Sequence, residues 1–549
     1  MIEEQSGVVV FIPAFKKSSF FQDDLLRKLD GVALVQRAIN KALSLGIERT
    51  AVHVLTDSEE VHLLATRSFI GTFFDAESGW SAQALGKEGR AYIDHAESGQ
   101  YCSVVLSVYA PLLQVSTLQR GISKLKSIDA TVLQPVRLEQ RSLYDGGPKV
   151  VSDLVFSRNC QDHYLESHAF SILRSGLLGQ KCDEQTPVAQ LSVGDDALEI
   201  DSLRSWWVCE KLLQRRRIVF RVIGNVAVGA GHIYRSLSLA HEMTDHEVLF
   251  VTDPDNDIAA RKLVDSEYWT AIYPKVELLD KVIELSPDLV VFDILNSDSG
   301  EVKRLRDNGI RIVSFEDLGP GSKFTNLTIN ELYDEPQLVG ENYRWGQEYF
   351  FVRDEFSSAT PAPFRDSVQG LLLTFGGTDQ HDLSRKIFFA VREICARKGV
   401  HIHIVTGPGY RDFLNLQREI GLSKGVTLTH ATGVISGVME QCDIAITSNG
   451  RTVYELAHMN IPAIAIDQHE RENTHHFARR ENGFVPLGVY SAGKTELLVK
   501  QELRILLDDQ IVRRSLYKSA ERHSFLSAKE RVAEALVALA TDANAEKSI

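Results

Sequence analysis

The sequence has few cysteines, and they are far apart. Six cysteines are distributed over 549 residues without a C-x-x-C pair, whereas zinc sites and disulfide frameworks need closely spaced, recurring cysteines. The sequence therefore predicts reduced thiols and neither a zinc site nor a disulfide-stabilised domain.

Long apolar runs and an excess of basic residues are also missing. No apolar stretch approaches the roughly 20 residues that cross a bilayer, and the first residues, MIEEQSG, lack the basic start of a secretory signal. Asp and Glu number 74 against 60 Lys and Arg, a formal net charge of -14, so the overall field repels nucleic acids and anionic membranes. These absences predict a soluble, cytoplasmic protein without a nucleic-acid partner, in which a local cationic site binds any anionic ligand.

The composition and the alternation of strand and helix patterns are typical of a multidomain α/β protein. Hydrophobic residues make up 44% and charged residues 24% of the chain, which are ordinary globular values, and strand-like apolar runs alternate with helical patterns as in parallel sheets. The first series ends in a strand-like run at 197–200, and a basic stretch and a linker-like stretch follow later. We predict a Rossmann-like domain at 1–214 and two Rossmann-like lobes at 215–360 and 361–549, with a ligand cleft between the lobes.

The most informative local pattern lies in the middle domain. A strand-like run at 219–222 precedes the sequence GAGHIYR, and the apolar spacing after it predicts a helix that begins at Gly229 and Gly231. Glycines at such a turn let backbone N–H groups approach an anion. His232 falls in the first helical turn, where an imidazole acts as a base near neutral pH. A glycine turn with a capping histidine accounts for the same pattern without a function.

Two further glycine turns lie in the last domain. One is Gly376-Gly377 in LLLTFGGTD, and the other is Asn449-Gly450 in ITSNGRTVYELAH. Strand, glycine turn and helix form a diphosphate-binding arrangement, and Glu455, one turn into the second helix, is placed to accept hydrogen bonds from ribose hydroxyls. Glycine turns are common at strand ends, so the functional interpretation depends on all three turns converging on one cleft.

The stretch from about 218 to 490 resembles the nucleotide-diphospho-sugar hydrolases of nonulosonic acid biosynthesis. The resemblance is carried by GAGHIYRSLSLA, SFEDLGPGS, TINELY, FFVRDEF, LLLTFGGTD, SNGRTVYELAHMNIPAIAI and HERENTHHFA. That family shares the two-lobed glycosyltransferase-B fold with the peptidoglycan GlcNAc-transferase. DILNSD and EDLGPG look closer to the spore-coat-polysaccharide branch, and Leu295 replaces an aromatic residue of the pseudaminic acid enzyme, so the sugar stays open.

The resemblance implies inverting hydrolysis of a UDP-linked amino or deoxy sugar to the free sugar and UDP, without a cofactor. It implies that His232 positions or deprotonates the attacking water. Two alternatives remain open, an inverting glycosyltransferase in which His232 deprotonates an acceptor hydroxyl and a non-catalytic nucleotide-sugar-binding scaffold. The implied nucleotide-sugar-binding residues are Gly229, Gly231, Arg235, Gly376, Gly377, Asn449, Gly450, Thr452, Glu455 and Asn473.

The first domain is similar to the cytidylyltransferases that activate sialic and related acids as CMP-sugars. The similarity is carried by VVVFIPAF, LTD and VGDDALEIDSLRSWWVCEKLL. It implies CTP and a nonulosonic acid as substrates and Mg²⁺ held by a carboxylate pair on one face of a late strand, here Glu199 and Asp201, which otherwise form an exposed acidic strand end. The opening IPAFKKSSFF departs from the family, with Phe15 in place of an arginine and no phosphate-cradling glycine. The domain is therefore either active or a degenerate scaffold or homo-oligomerisation unit.

Overall fold

Apolar strands alternate with amphipathic helices along the whole chain in a computed structural model that describes residues 7–16, 20–21, 23–76, 86–141, 161–178, 186–226, 228–421 and 423–541. The chain forms two compact units, Met1–Arg215 and Arg216–Ile549. Each unit is built on sheets with helices between the strands, so the predicted α/β class is confirmed. Within the described residues, no helix combines the length and the apolarity that crossing a bilayer requires.

The first unit is built on one mixed sheet of eight strands with the order β10-β7-β9-β6-β1-β4-β5, in which β8 also pairs with β7. The strands are β1 Val8–Ala14, β2 Lys28–Leu29, β3 Val32–Ala33, β4 Val52–Thr56, β5 Gly71–Phe74, β6 Cys102–Leu106, β7 Val132–Arg141, β8 Gln161–Glu166, β9 Phe170–Arg174 and β10 Val188–Val193, with β2 and β3 forming a separate hairpin. The helices are α1 Leu34–Leu43, α2 Glu59–Arg67, α3 Gly86–Glu97, α4 Val115–Ser127 and α5 Leu203–Gln214.

Two features of the first unit differ from the prediction. The sheet is not fully parallel, because β8 and β9 both run antiparallel to β7, and β9 also runs antiparallel to β6. The predicted strand at 197–200 is also wrong. Asp195–Ala197 form a 3-10 turn and the following residues pair with no strand, since a four-residue apolar run does not by itself specify a strand.

The core of the first unit lies on both faces of its sheet. Alternate residues of β1 point to opposite faces, so Val10 and Ile12 join one buried cluster while Val9 and Phe11 join another. All four side chains have no exposed surface. A strand that is covered by helices on both faces is apolar at every position, so this run could be recognised as a strand from the sequence.

The second unit begins with a lobe built on seven parallel strands in the order β13-β12-β11-β14-β15-β16-β17. The chain passes from β11 outward to β12 and then back to β14 on the other side, which places a crevice at the carboxyl ends of β11 and β14. The strands are β11 Arg217–Val222, β12 Glu247–Thr252, β13 Thr270–Ile272, β14 Leu289–Asp293, β15 Arg311–Phe315, β16 Leu327–Asn330 and β17 Tyr343–Trp345, and the helices are α6 Gly231–His241, α7 Asp257–Asp265, α8 Leu278–Glu284 and α9 Ser299–Asp307.

The second lobe repeats this plan with six parallel strands in the order β20-β19-β18-β21-β22-β23. Its crevice lies between β18 and β21, at the ends that lead into the two later glycine turns. The strands are β18 Gly370–Thr374, β19 His401–Thr406, β20 Val426–His430, β21 Ile444–Ser448, β22 Ala463–Asp467 and β23 Phe484–Val489, and the helices are α10 Leu383–Lys398, α11 Phe413–Ile420, α12 Ser436–Met439, α13 Thr452–His458, α14 Lys494–Asp508, α15 Gln510–Ala520 and α16 Ala528–Thr541.

The last helix does not belong to the lobe in which the predicted 361–549 boundary places it. Val532 and Leu536 of α16 are buried in the same apolar cluster as Ile218 of β11. Arg311 of β15 also donates a hydrogen bond to the Leu539 carbonyl at 2.7 Å. The apolar face of α16 therefore completes the core of the first lobe, and the chain crosses between the lobes twice.

Candidate functional site

The two lobes of the second unit enclose a cleft at the carboxyl ends of both parallel sheets. The cavity measures about 300 Å³ and is lined by all three glycine turns. Eight of the residues predicted to act there form its wall: Gly229, Gly231, His232, Gly376, Gly377, Gly450, Thr452 and Glu455. The convergence on which the functional interpretation depended is thus present in the structure.

Glycine is required where the turns meet. A β-carbon at Gly377 would lie 3.1 Å from the Ala230 nitrogen and 3.4 Å from the Gly229 α-carbon, and one at Gly407 would lie 2.4 Å from the Gly377 oxygen. The distances of 3.1 and 2.4 Å are shorter than ordinary van der Waals contact, and the neighbouring atoms are backbone, which moves with difficulty. The absence of a side chain at Gly377 therefore allows the two lobes to approach, and its absence at Gly407 allows two turns of the second lobe to approach each other.

The three turns differ in what they offer an anion. Helices α6 and α13 begin in the cleft wall, and none of the side chains that the structure describes caps their N-termini. The helix after Gly377, in contrast, is capped, because both carboxylate oxygens of Asp379 accept hydrogen bonds at 2.7 Å from the Leu383 and Ser384 backbone. Uncapped helix N-termini attract negative charge. The structure therefore favours the first and third turns for a diphosphate.

His232 is paired with the buried carboxylate of Asp293, a residue to which the sequence analysis assigned no role. Its Nδ1 lies 2.6 Å from Asp293 Oδ1, and the two side chains are 6% and 0% exposed. Burial alone would raise the pKa of Asp293, but the charge of Arg235 and the hydrogen bond from His232 outweigh burial and hold the pKa well below its ordinary value. An ionised carboxylate only accepts hydrogen bonds, so Nδ1 carries a hydrogen, and in the neutral imidazole Nε2 then carries the lone pair.

Arg235 does not line the cleft, contrary to its predicted role in binding the nucleotide sugar. It is 1% exposed and donates hydrogen bonds to Asp293 at 3.0 Å, Glu316 at 2.7 Å and Glu331 at 2.8 Å. Burial would lower the pKa of Arg235, but the carboxylates of Asp293 and Glu316 outweigh it and raise that pKa. Arg451 of the second lobe also donates to Glu331. The network thus fixes Asp293 behind His232 and joins the two lobes.

Glu455 and Asn449 occupy different positions relative to the cleft. Glu455 lines it, is 7% exposed and accepts a hydrogen bond from Arg353 at 3.0 Å. Asn449 lies behind the wall, where its amide nitrogen donates to the Glu472 and His475 carbonyls at 3.0 and 2.9 Å. Asn449 therefore acts on the site by holding the segment that follows β22. Asn473 in that segment is exposed and is not part of the wall.

That segment contributes wall residues that the sequence analysis did not assign, namely Gln468, His469, Arg471, Glu472 and His475. Burial, together with the charge of Asp467, raises the pKa of Glu472 to about 7. The signal available in the sequence was the motif HERENTHHFA, just as Glu316 and Glu331 lie in SFEDLGPGS and TINELY. The resemblance marked these segments but gave the individual residues no role.

The two carboxylates predicted to hold Mg²⁺ in the first unit are engaged by neighbouring protein groups. Glu199 accepts hydrogen bonds from Ser167 and from the His168 backbone at 2.9 and 2.7 Å, and Asp201 accepts from Ser202 and Ser205 at 2.9 and 2.8 Å. The two residues are on no strand, and no cluster of three potential metal ligands of the His, Cys, Asp or Glu type exists within the described ranges. The predicted placement of the pair on one strand is therefore wrong, and Mg²⁺ binding stays a prediction.

The predicted nucleotide loop of the first unit is likewise built for packing. Phe15 is 3% exposed and lies in an apolar cluster with Leu55 and Ile93. The Lys16 ammonium donates a hydrogen bond to Glu60 at 3.1 Å, and Lys17 lies outside the described residues. Neither the described part of this loop nor the acidic pair supplies a recognisable triphosphate site.

Comparison with known proteins gives distant relatives. No family model matches the chain. An uncharacterized protein of Methanocaldococcus jannaschii is 27% identical over 269 residues, 45% of this chain and 54% of that protein, so the chain spans about half of that relative's length. The spore coat polysaccharide biosynthesis protein SpsG of Bacillus subtilis is 24% identical over 311 residues, 54% of this chain and 90% of that protein.

Solved structures resemble the chain at low sequence identity. MurG of Acinetobacter baumannii matches 58% of this chain and 98% of its own with a TM-score of 0.43 and 14% identity. The match to the rhamnosyltransferase SpnG with thymidine diphosphate covers 56% of this chain and 95% of SpnG, with a TM-score of 0.39 and 12% identity. The match to a CMP-2-keto-3-deoxy-manno-octonic acid synthetase with CTP covers 38% of this chain and 98% of the synthetase, with a TM-score of 0.28 and 14% identity.

None of the named proteins above is described as a hydrolase, so hydrolysis stays a prediction, and cytidylyl transfer by the first unit stays one too. The chain is thus similar to a protein of spore coat polysaccharide biosynthesis, and its second unit carries two Rossmann-like lobes around a cleft.

Proposed function

We propose that the second unit is an inverting glycosyltransferase that binds a nucleotide-diphosphate sugar, UDP-linked by the resemblance, in the cleft between its lobes. The observation that carries the proposal is the contact between His232 in the cleft wall and the buried Asp293 behind it. The pair leaves the His232 Nε2 lone pair available as a general base, the arrangement that deprotonates a hydroxyl nucleophile. The similarity to a polysaccharide biosynthesis protein supports this choice of substrate class.

The proposed reaction exchanges one bond at the anomeric carbon for another. The acceptor oxygen forms a bond to that carbon from the face opposite the diphosphate, its proton moves to His232 Nε2, and the bond to the phosphate oxygen breaks. The uncapped N-termini of α6 and α13 lie in the wall, where they stabilise the negative charge that develops on the leaving diphosphate.

The charges buried behind His232 support its role as a base. Arg235 and Arg451 contribute two positive charges, and Asp293, Glu316 and Glu331 contribute three negative charges, all linked by the ion pairs of Arg235 and Arg451. The cluster therefore has a net charge of -1 when His232 is neutral and becomes neutral when His232 accepts a proton. Charge compensation of this kind favours the imidazolium that forms during the reaction.

Hydrolysis is the second candidate, and the size of the site favours it. His232 is only 6% exposed, and a cavity of about 300 Å³ is at the low end of small-molecule sites, which measure roughly 300–1,000 Å³. A bound nucleotide sugar leaves limited space beside His232, and water is the smallest hydroxyl nucleophile. The same base and the same inversion apply, with free sugar as the product.

Product analysis separates these reactions. The purified chain is incubated with a panel of UDP-sugars, with and without candidate hydroxyl acceptors, and followed by ³¹P and ¹H NMR. Release of UDP with an inverted glycoside only when an acceptor is present supports transfer. Release of UDP with an inverted free sugar in the absence of acceptor supports hydrolysis instead. Binding of UDP without any turnover would contradict both and favour a non-catalytic scaffold.

For the first unit we propose a structural role in place of cytidylyl transfer. The proposal is supported by the packing of Phe15 in the core and by the engagement of Glu199 and Asp201 with neighbouring hydroxyl and backbone groups. The test is pyrophosphate release from CTP with Mg²⁺ and a nonulosonic acid. No release is expected, and Mg²⁺-dependent release would overturn the proposal. Light scattering of the full chain tests the related prediction of a homo-oligomer.

A further inference from the structure

Two side chains of the cleft wall share an unusual hydrogen-bonding state. Gln468 and His475 both lie in the segment after β22, both line the cleft and both are 9% exposed. Neither was assigned a role from the sequence, and neither takes part in the ion-pair network behind His232. Buried polar side chains normally have all their strong donors and acceptors paired, so their remaining groups are informative.

The donor atom of each side chain is engaged with a backbone carbonyl. The Gln468 amide nitrogen donates to the Phe375 carbonyl at 3.1 Å, and His475 Nδ1 lies 3.0 Å from the Asn449 carbonyl. A carbonyl oxygen only accepts hydrogen bonds, so the atom facing it must carry a hydrogen. The two carbonyl partners therefore fix the orientation of the Gln468 amide and the tautomer of His475, which are assigned from the hydrogen bonds that these groups make.

The opposite atoms of these groups are acceptors without a partner. Gln468 Oε1 and His475 Nε2 are buried and have no hydrogen-bond partner within the described ranges. Burial also lowers the pKa of His475, which keeps Nε2 unprotonated at neutral pH. Leaving a buried acceptor unpaired is unfavourable, so a ligand in the cleft that brings O–H or N–H groups to these atoms gains binding free energy.

We propose that Gln468 and His475 form the glycosyl-binding part of the cleft, a surface of hydrogen-bond acceptors that recognises a donor sugar through its hydroxyl or acylamino N–H groups. This inference rests on the proposed function, because it assumes that a nucleotide sugar occupies the cleft. It identifies the substrate class as sugars that keep two such groups in reach of Gln468 Oε1 and His475 Nε2. A sugar that is deoxygenated at those positions leaves both acceptors unpaired and binds more weakly.

The test compares affinities for UDP and for UDP-sugars by isothermal titration calorimetry on the full chain. UDP-glucose, UDP-N-acetylglucosamine and their 3-, 4- and 6-deoxy analogues serve as probes. His475→Asn keeps a nitrogen donor for the Asn449 carbonyl and removes the Nε2 acceptor, and Gln468→Met removes the Oε1 acceptor. His401→Asn is the matched control, because His401 lies on β19 of the same lobe and does not line the cleft.

The inference predicts that at least one UDP-sugar binds more tightly than UDP and that each cleft variant weakens this sugar about 10-fold while UDP affinity stays within about 2-fold. It also predicts that one deoxy analogue weakens binding to the wild type but not to His475→Asn, because the same hydrogen bond is already lost. His401→Asn should match the wild type throughout.

Three results would overturn the inference, and they separate it from the proposed function. If UDP-sugars bind more tightly than UDP and both variants keep that difference, the sugar binds elsewhere in the cleft and the proposed function stands. If UDP binds but no sugar adds affinity, the acceptor surface is not a sugar site. If neither UDP nor any UDP-sugar binds, the proposed function fails and the inference fails with it.

Discussion

Both units of the chain are built on β-sheets with helices between the strands, mixed in the first unit and parallel in the second, and they reach opposite outcomes at the ends of the strands. In the second unit, His232 follows β11 and lines a cleft, Asp293 at the end of β14 lies behind it, and the neutral imidazole keeps a lone pair for chemistry. In the first unit, Phe15 after β1 is packed into the core, and Glu199 accepts hydrogen bonds from neighbouring protein groups. Strand topology decides where residues emerge, whereas function depends on whether their polar groups remain available.

Burial of charge separates the units in the same way. The Lys16–Glu60 pair of the first unit is 36% and 63% exposed, whereas the Arg235–Asp293 pair of the second unit is 1% and 0% exposed. Exposed ion pairs contribute little because water screens them, but removing one partner of a buried pair leaves an uncompensated charge in the protein interior. The second unit therefore has a charged interior that its stability and its reaction both depend on.

The largest effect is expected at the histidine that faces the cleft. His232→Gln should lower kcat for nucleotide-sugar turnover by up to about 10⁴-fold, because it removes the general base and its proton acceptor. His241→Gln is the matched control on the same helix, since His241 also contacts a carboxylate, Asp354 at 2.6 Å, but lies outside the cleft. Steady-state kinetics should show a near-normal kcat for His241→Gln. An equal loss of kcat in both variants would contradict the role of His232 as the base.

The next effect concerns stability. Arg235→Met should lower the free energy of unfolding of the second unit by about 3 to 5 kcal/mol, because Asp293 and Glu331 lose a buried partner. Lys16→Met, which removes the exposed cation of the first unit, should leave the unfolding curve unchanged within error. Urea unfolding followed by circular dichroism measures both. If Lys16→Met lowered the free energy of unfolding as much as Arg235→Met, the difference in burial between the two ion pairs would not govern stability.

A third effect depends on pH. Because the pKa of Glu472 is raised from 4.5 to about 7, the folded state binds a proton more tightly than the unfolded state, and this contribution to stability is complete below pH 4.5 and lost as the pH rises through 7. Glu472→Gln does not titrate, so its stability relative to the wild type should increase between pH 5 and pH 8 by up to about 3 kcal/mol.

The first unit provides the control for that pH profile. The hydrogen bond from Ser58 and the ammonium of Lys16 lower the pKa of Glu60 to about 2, so its ionised form is already favoured in the folded state. Glu60→Gln should therefore give no gain between pH 5 and pH 8. Urea unfolding at each pH measures both variants, and parallel wild-type and Glu472→Gln profiles would show that Glu472 is ionised throughout.

Local patterns made much of the fold and part of the site predictable. The buried strands β11, β14, β18 and β21 read as apolar runs, and the glycines before α6 mark the start of its helix, so the position of His232 followed from the sequence. The strand at 197–200 was wrong because a short apolar run also fits an irregular buried segment. Local signals therefore identify elements best when they are long and bounded by turns.

Long-range pairing is where the sequence was insufficient. The apolar face of α16 is evident from its composition, but nothing in it specifies the first lobe as its partner. Arg235 and Glu331 are 96 residues apart, and their contact exists only because β16 lies two strands from β14 in the sheet. The same holds for Gln468 and His475, whose unpaired acceptors become visible only after the donors have found their backbone partners.

The smallest effect is expected at the acidic pair of the first unit. In Asp201→Asn the side-chain oxygen still accepts hydrogen bonds from Ser202 and Ser205, so stability should stay within about 0.5 kcal/mol of the wild type. Nucleotide-sugar turnover should be unchanged, because the cleft belongs to the second unit. The measurement is turnover together with pyrophosphate release from CTP and Mg²⁺. If the wild type released pyrophosphate and Asp201→Asn abolished it, Asp201 would be a metal ligand after all, and the difference between the units would be one of substrate rather than of availability.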